Sequence, residues 1–283
     1  MAAITSYLAA ADFNGDGAAD LSVSRGESDS IGVLPNRASC APPGAAVNAS
    51  AASYFSYKLA NESIAALFGA NLASTTQVAT SLPLPTTLAN TSVKVKDGAG
   101  VERLAPLFFV SPNQLNHLIP AGTVPGVALV TVMNGSSVAA SGTTLITTTS
   151  PGLFTADASG QGLASAVVLR VKADGSQVFE PIVRFDSAQN RFVAIPIDLS
   201  NASEQVFLLL FGAGIRNHGE LATVNAEIGG ENAEALFAGA QGGFAGLDQI
   251  NLRLPRALAG RGDVEVRLMV NGRAANAARI NVQ

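Results

Sequence analysis

The chain has 283 residues, of which 48% are hydrophobic and 13% charged, with a formal net charge of −4. Disordered chains have the opposite balance, so this composition predicts a folded protein long enough for two domains. The 17 basic residues are scattered singly, which argues against a nucleic-acid partner. Apolar stretches such as 206–211 are too short for a transmembrane segment, and the single cysteine, Cys40, excludes an internal disulfide.

The first 40 residues contain a dense acidic loop. Oxygen donors recur at positions 1, 3, 5, 7 and 9 of this loop, from Asp12, Asn14, Asp16, the carbonyl of Ala18, and Asp20. Hard oxygen ligands at alternating positions of a tight loop are typical of calcium sites. The loop therefore predicts a structural Ca²⁺ ion, and a set of Asx turns without metal is the alternative. Val23 stands where an EF-hand requires Glu, which excludes that motif.

The next segments predict a hairpin and then a linker. Two short alternating runs, 21–24 and 31–34, flank a polar turn, which is the pattern of a β-hairpin. Residues 41–52 are rich in Ala, Pro, Ser and Gly, and this composition is typical of a linker between domains.

From residue 53 onward the pattern is that of β-strands. Residues 93–96 and 264–270 alternate apolar and charged residues, as half-buried strands do. Asp97-Gly98, Asn134-Gly135 and Asn271-Gly272 follow such runs and predict tight hairpin turns with positive φ at both central positions. Only residues 232–238 suggest a short turn of helix. Many short strands with frequent turns predict β-sandwiches.

Most of the chain is one unit used twice. Gln-Leu-Asn-His-Leu-Ile-Pro at 114–120 returns as Gln-Ile-Asn-Leu-Arg-Leu-Pro at 249–255, and Leu-Phe-Gly-Ala at 67–70 returns at 210–213. We therefore predict one sandwich over 53–149 and another over 150–283. In the repeated segment the apolar residues face one way and the Gln and Asn the other, so a structural clasp is one interpretation and a ligand-contacting amide pair is the other.

Several motifs in a fixed order resemble a known family. They are Leu-Phe-Gly-Ala-Asn-Leu-Ala at 67–73, Leu-Pro-Leu-Pro at 82–85, Ala-Pro-Leu-Phe-Phe-Val-Ser-Pro-Asn-Gln-Leu-Asn at 105–116, Ser-Pro-Gly-Leu-Phe-Thr at 150–155 and Gly-Leu-Asp-Gln-Ile-Asn at 246–251. Residues 53–283 are similar to the uncharacterised C-terminal domain of large secreted proteins of Solibacter-type acidobacteria. His117 and Asp248 depart from that pattern, which usually carries an apolar or aromatic residue and a Tyr there.

The resemblance implies a fold and a location. It implies an all-β chain with two tandem immunoglobulin-like sandwiches in a secreted or cell-surface protein, with no assigned activity. Residues 12–21 are similar to the calcium loop of the integrin-α-like repeat that builds β-propellers, so residues 1–40 resemble a partial repeat. No export signal is visible, and we expect it to be missing from this chain.

Two histidines are the weak candidates for catalysis. His117 lies in the repeated segment, where it would face solvent or the other domain, and His218 lies in a loop. A general base needs a partner within hydrogen-bond reach, and the spacing indicates no orienting acid for either ring. The motifs Gly-x-Ser-x-Gly, His-Glu-x-x-His and Cys-x-x-Cys do not occur in the sequence.

These observations favour a non-catalytic extracellular module that acts as a spacer, anchor or adhesive element for an unidentified surface or protein partner. Such a module would have no deep polar pocket. A weak hydrolase with a site in the inter-domain groove, built on His117 or His218, is the alternative. A glycan-binding sandwich is disfavoured because the sequence has no Trp and three Tyr. The pattern does not predict the oligomeric state.

Overall fold

The computed structural model describes residues 8–11, 20–25, 30–34, 44–54 and 58–283. The chain forms two compact units, Met1–Pro43 and Gly44–Gln283. In the first unit, β1 (Leu8–Ala11), β2 (Asp20–Arg25) and β3 (Ser30–Leu34) form an antiparallel sheet with β2 in the middle. The predicted hairpin is thus confirmed as β2 and β3, and β1 is a third strand that the sequence pattern did not indicate.

The second unit begins with a β-sandwich. Its strands are β4 (Gly44–Ala45), β5 (Val47–Ser50), β6 (Lys58–Ala60), β7 (Ile64–Phe68), β8 (Gln77–Val78), β9 (Thr87–Leu88), β10 (Thr91–Lys96), β11 (Glu102–Leu104), β12 (Leu107–Val110), β13 (Gln114–Leu118), β14 (Gly126–Asn134) and β15 (Ser137–Thr147). One sheet has the order β11-β10-β14-β15-β4, with β6 also paired to β15 and β9 to β10, and the other has the order β5-β7-β13-β12-β8. This is the first sandwich.

The second sandwich follows in the same unit. Its strands are β16 (Gly152–Leu153), β17 (Ala166–Val171), β18 (Gln177–Pro181), β19 (Val183–Asp186), β20 (Arg191–Ala194), β21 (Gln205–Ala213), β22 (Val224–Ile228), β23 (Glu231–Ala233), β24 (Ala235–Ala240), β25 (Asp248–Arg253), β26 (Gly262–Val270), β27 (Arg273–Ala274) and β28 (Ala278–Val282). One sheet has the order β18-β17-β21-β25-β24 with β16 beside β21, the other has the order β23-β22-β26-β27 with β28 beside β26, and β19 and β20 form a separate hairpin. Two short 3₁₀ helices, Leu221–Thr223 and Arg256–Leu258, lie in its loops.

Each sandwich has its own hydrophobic core. The first core runs from Ala46 to Ile146 and the second from Leu153 to Val282. On β26 the buried residues are every second one, which confirms the strand predicted over 264–270. Burial of a Val, Leu or Ile side chain stabilises the fold by about 1.5–3 kcal/mol, so sheet-to-sheet packing holds each sandwich together.

The sequence repeat has the same strand pairing in both sandwiches. On β7 and β13, Phe68 lies opposite Gln114. On β21 and β25, the repeated Phe211 lies opposite the repeated Gln249. The recurring residues are therefore the facing positions of two neighbouring strands, which explains why they occur together in each half of the chain.

Residues 44–50 cross from one sheet to the other in the first sandwich. β4 pairs in parallel with β15, and β5 pairs antiparallel with β7 in the opposite sheet. Between them, the carbonyl oxygen of Ala46 would lie 1.9 Å from a Cβ at Gly142, so only glycine fits there. The prediction of a linker over 41–52 is wrong for these residues, because their small side chains are built into the sandwich.

Two other local predictions needed correction. Residues 232–238 lie in β23 and β24 and not in a helix, because they pair with β22 and β25. Asn271 and Gly272 have φ of 51° and 71° and form the predicted tight turn. At Asp97, in contrast, a longer turn forms, in which its Oδ1 accepts hydrogen bonds from the backbone N–H groups of Ala99 and Val101, both at 3.1 Å.

Candidate functional site

The predicted calcium loop lies mostly outside the described residues. This applies to Asp12, Asn14, Asp16 and Ala18, while Asp20 begins β2. In the part of the chain that the structure describes, no group of three or more His, Cys, Asp or Glu side chains is placed to hold a metal ion. The calcium site therefore stays a prediction.

The prediction that His117 faces solvent or the other domain is wrong, because its side chain faces the core of the first sandwich. It is fully buried on β13, where its pairing partners on the two neighbouring strands are Ala65 and Leu107. Neither ring nitrogen has a hydrogen-bond partner among the described residues. Burial lowers the pKa of His117 to about 4, because the charged imidazolium loses its hydration there. Without access to solvent, His117 cannot reach a substrate.

His218 lies in the loop after β21, as predicted, but its ring is held by backbone. Nδ1 is 3.0 Å from the carbonyl oxygen of Glu220, and Nε2 is 2.9 Å from that of Ala238. Both neighbours are hydrogen-bond acceptors, and a general base needs one nitrogen with a free lone pair. This arrangement fixes the loop against β24 and does not prepare the ring for proton transfer.

The repeated amides bond to each other in both sandwiches. Gln114 Nε2 donates to Asn116 Oδ1 at 2.9 Å, and Gln249 Nε2 donates to Asn251 Oδ1 at 2.7 Å. All four side chains are partly exposed and lie on the outer side of their sheets. Each bond joins two residues of the same strand, so these amides do not link one sheet to the other, and the prediction of a structural clasp is wrong for their side chains. The ligand-contacting pair stays a prediction.

A buried ion pair in the second sandwich was not predicted as such. Asp248 is fully buried, and its carboxylate accepts hydrogen bonds from Ile215 N at 2.7 Å and Arg216 Nε at 2.6 Å. Burial raises the pKa of Asp248, and the bonds from Ile215 and Arg216 oppose that effect. The pair ties the loop after β21 to the start of β25. A signal was available, because Asp248 lies two residues before Ile250 and so shares its inward face.

A second charged cluster joins three segments of the same sandwich. Arg170 on β17 donates to Glu180 on β18 at 2.8 Å and to Glu204 at 2.9 Å. It also donates to the backbone oxygen of Asp198 at 3.0 Å. The carboxylates of Glu180 and Glu204 raise the pKa of Arg170. Each bond stays within the sandwich, so the cluster stabilises this face.

The connection between the sandwiches is buried and hydrogen-bonded. Thr147, Thr149 and Ser150 are buried. Ser150 Oγ donates to the carbonyl oxygen of Lys58 at 2.7 Å, and Arg273 Nη1 donates to that of Thr149 at 2.7 Å. The connecting residues are therefore bonded to both sandwiches. We call this region the junction.

Glycines let the two sandwiches approach closely at the junction. A Cβ at Gly160 would lie 2.5 Å from the backbone oxygen of Ser53, and a Cβ at Gly246 would lie 2.4 Å from Leu118 Cδ1. Real Cβ atoms do not approach other heavy atoms so closely, and because backbone cannot shift as the end of a side chain can, the contact at Gly160 depends on glycine. Asn217 Nδ2 adds a hydrogen bond of 3.2 Å to the carbonyl oxygen of Asn61.

A broad, open cleft of about 1070 Å³ lies beside the junction. We call it the junction cleft, and its lining includes Ser53 and Lys58 of the first sandwich and Asp157, Ser159, Gln161, Glu265, Arg273, Asn276 and Arg279 of the second. The cleft is open rather than deep, so the expectation of a module without a deep polar pocket stays a prediction. Neither histidine lines the cleft, so the structure does not place His117 or His218 in an inter-domain groove.

Comparisons with known proteins show only distant likeness. No family model and no curated protein matches the chain. An auxiliary nutrient binding protein from Bacteroides ovatus ATCC 8483 is 14% identical with a TM-score of 0.23, over 61% of this chain and 43% of that chain. Tandem Ig domains of titin are 10% identical with a TM-score of 0.18, over 80% of this chain and 91% of theirs. These values carry no inference about ligand or partner. Within the described residues, no helix is long and apolar enough to cross a membrane.

Proposed function

We propose that the chain is a non-catalytic extracellular module that holds two immunoglobulin-like sandwiches in a fixed orientation and so acts as a rigid spacer or anchor. The observation that supports this proposal is the buried junction. Flexible tandem modules are joined by exposed linkers with few contacts across them. Here the connecting residues Thr147–Gly152 are hydrogen-bonded to both sandwiches, and Gly160 and Gly246 pack against the first one.

The test of a fixed orientation is a paired glycine substitution. Gly160→Ala places a Cβ against the backbone of Ser53, whereas Gly162→Ala, in the same loop, places its Cβ in open space. Both glycines have positive φ, of 74° and 96°, so both variants carry backbone strain. Only Gly160→Ala should separate the sandwiches, which residual dipolar couplings or small-angle X-ray scattering would detect. Equal inter-sandwich angles in the native chain and Gly160→Ala, or broad angular averaging in the native chain, would refute the proposal.

The absence of catalysis has its own test. The double variant His117→Ala, His218→Ala removes both imidazoles. A spacer has no activity to lose, whereas a hydrolase built on either ring would lose its turnover. Hydrolysis of generic ester or glycoside substrates by the native chain that disappears in the double variant would refute the non-catalytic proposal.

We also propose that the module belongs to the C-terminal end of a larger exported protein and that the Asp12–Asp20 loop carries a structural calcium ion. Support comes from the ordered motifs of residues 53–283 and from the alternating oxygen donors of the loop. Detection of the longer protein in the culture medium or at the cell surface, with antibodies against residues 44–283, tests the location. Purely intracellular recovery would contradict it.

A further inference from the structure

The junction cleft has the size and position of a ligand site. Sites for small molecules are about 300–1,000 Å³, and this cleft measures about 1070 Å³. It is open, and both sandwiches contribute to its walls. Because the junction holds those walls together, the cleft keeps its shape without a closing motion. A ligand of several units fits such a cleft better than a single small molecule does.

The charges of the cleft favour an anion, although the whole chain carries a formal net charge of −4. Lys58, Arg273 and Arg279 supply three cations, against the carboxylates of Asp157 and Glu265. Both carboxylates make hydrogen bonds within the protein but keep their negative charges, so the cations of the lining exceed them by one. Asp157 Oδ1 accepts hydrogen bonds from Ser159 Oγ at 2.7 Å and Thr155 Oγ1 at 3.0 Å.

The guanidinium groups retain donors for a ligand. Glu265 lies opposite Arg279 on the neighbouring strand. Its Oε1 accepts a hydrogen bond of 2.5 Å from Arg267 Nε, so this carboxylate is engaged by a residue other than Arg279. Arg273 uses one N–H in its bond to the carbonyl of Thr149, and a guanidinium carries five. Arg273 and Arg279 are both exposed. Arginine binds carboxylates in a bidentate manner, so these two side chains suit a carboxylate-bearing ligand.

We propose that the junction cleft binds a carboxylate-bearing oligosaccharide, such as a chain of uronic acids. The neutral part of the lining is hydroxyl and amide, from Ser53, Ser159 and Gln161 among others, and it matches the hydroxyl groups of a sugar. Its apolar part is alanine and one proline, so no large apolar side chain lines the cleft to pack against those of a peptide. Pairing between guanidinium and carboxylate groups needs no aromatic platform, so the absence of Trp does not oppose this ligand.

The experiment measures binding of a short oligogalacturonate to the full chain by isothermal titration calorimetry, with a neutral malto-oligosaccharide of the same length as the control ligand. The native chain should bind the acidic sugar and not the neutral one. Arg279→Gln should weaken binding about tenfold or more, because it removes a charged hydrogen-bond donor. The binding should also weaken with added salt, since partly exposed ion pairs are screened.

Arg184→Gln provides the matched control variant. Arg184 lies on β19, its side chain is 61% exposed, and it is not part of the cleft lining. This variant removes the same charge and should bind like the native chain. The proposal is overturned if the native chain does not bind the acidic sugar, if both variants lose affinity equally, or if a poly-glutamate peptide binds more tightly than the sugar. None of these results bears on the orientation of the sandwiches, which scattering and dipolar couplings measure separately.

Discussion

The buried imidazole of His117 should make the first sandwich sensitive to acid. In the folded chain its pKa is about 4, against 6.5 for the free side chain. The unfolded chain therefore binds more protons than the folded chain as pH falls from 6.5 to 4, and stability falls with it. Above pH 6.5 the contribution of His117 is fully present, and below pH 4 no further loss comes from this group.

The size of the effect follows from the two pKa values. A difference of one pKa unit corresponds to about 1.4 kcal/mol, so the complete loss is about 3 kcal/mol. Most of it, about 2 kcal/mol, falls between pH 7 and pH 4.5. For a protein whose free energy of unfolding is about 5–15 kcal/mol, this change is large enough to measure.

His117→Leu is the perturbation that isolates this residue. The sequence repeat places Leu252 at the matching position of the second sandwich, where it is fully buried, so leucine suits this site. We expect the variant to be at least as stable as the native chain at pH 7, because it removes two unpaired polar atoms from a core.

The assay is urea unfolding followed by circular dichroism at several pH values between 7.5 and 4.5 in both chains. Contributions from all other groups are common to both chains and cancel in the difference. The native chain should lose about 2 kcal/mol more than His117→Leu over this range. If the free energy of unfolding fell equally with pH in the two chains, burial would not lower the pKa of His117, and the reasoning would be refuted.

Other predictions concern the remaining polar groups. Asp248→Asn should destabilise the second sandwich by about 3 kcal/mol, since it leaves Arg216 without its buried partner. Glu234→Gln changes a surface pair whose Glu234 side chain is 62% exposed, and it should cost less than about 1 kcal/mol. Urea unfolding of both variants compares the two losses, and equal losses would count against a buried pair. The native chain should bind Ca²⁺ in a fluorescent competition assay and Asp16→Ala should not; binding that survives the substitution would place the ion elsewhere.

The strands could be predicted because their side-chain period can be read directly. Residues 93–96 and 264–270 alternate, and the structure has strands at both places. The same period carried information about His117 that the prediction did not use. The predicted alternation turns Leu115 to the face opposite Gln114 and Asn116, and a residue two positions later on a strand points to the same side as Leu115. The apolar neighbourhood of His117 follows from that rule.

Features that depend on contacts distant in the sequence could not be predicted. Residues 44–50 have the composition of a linker, yet they pair with β7, which follows soon after them, and with β15, which lies far along the chain. The junction cleft exists because two separately folded cores meet at a particular angle, and local patterns carry no information about that angle. The partners of Asp248 likewise come from a loop more than 30 residues earlier.

The crossing of residues 44–50 between sheets has a practical consequence for dissecting this protein. A fragment trimmed to begin at residue 53, as composition suggests, would lack the edge strands of both sheets of the first sandwich at once. The exposed edges of β7 and β15 would then be open to pairing with other chains, which is a common route to aggregation. Fragments meant to fold alone should therefore begin at or before Gly44.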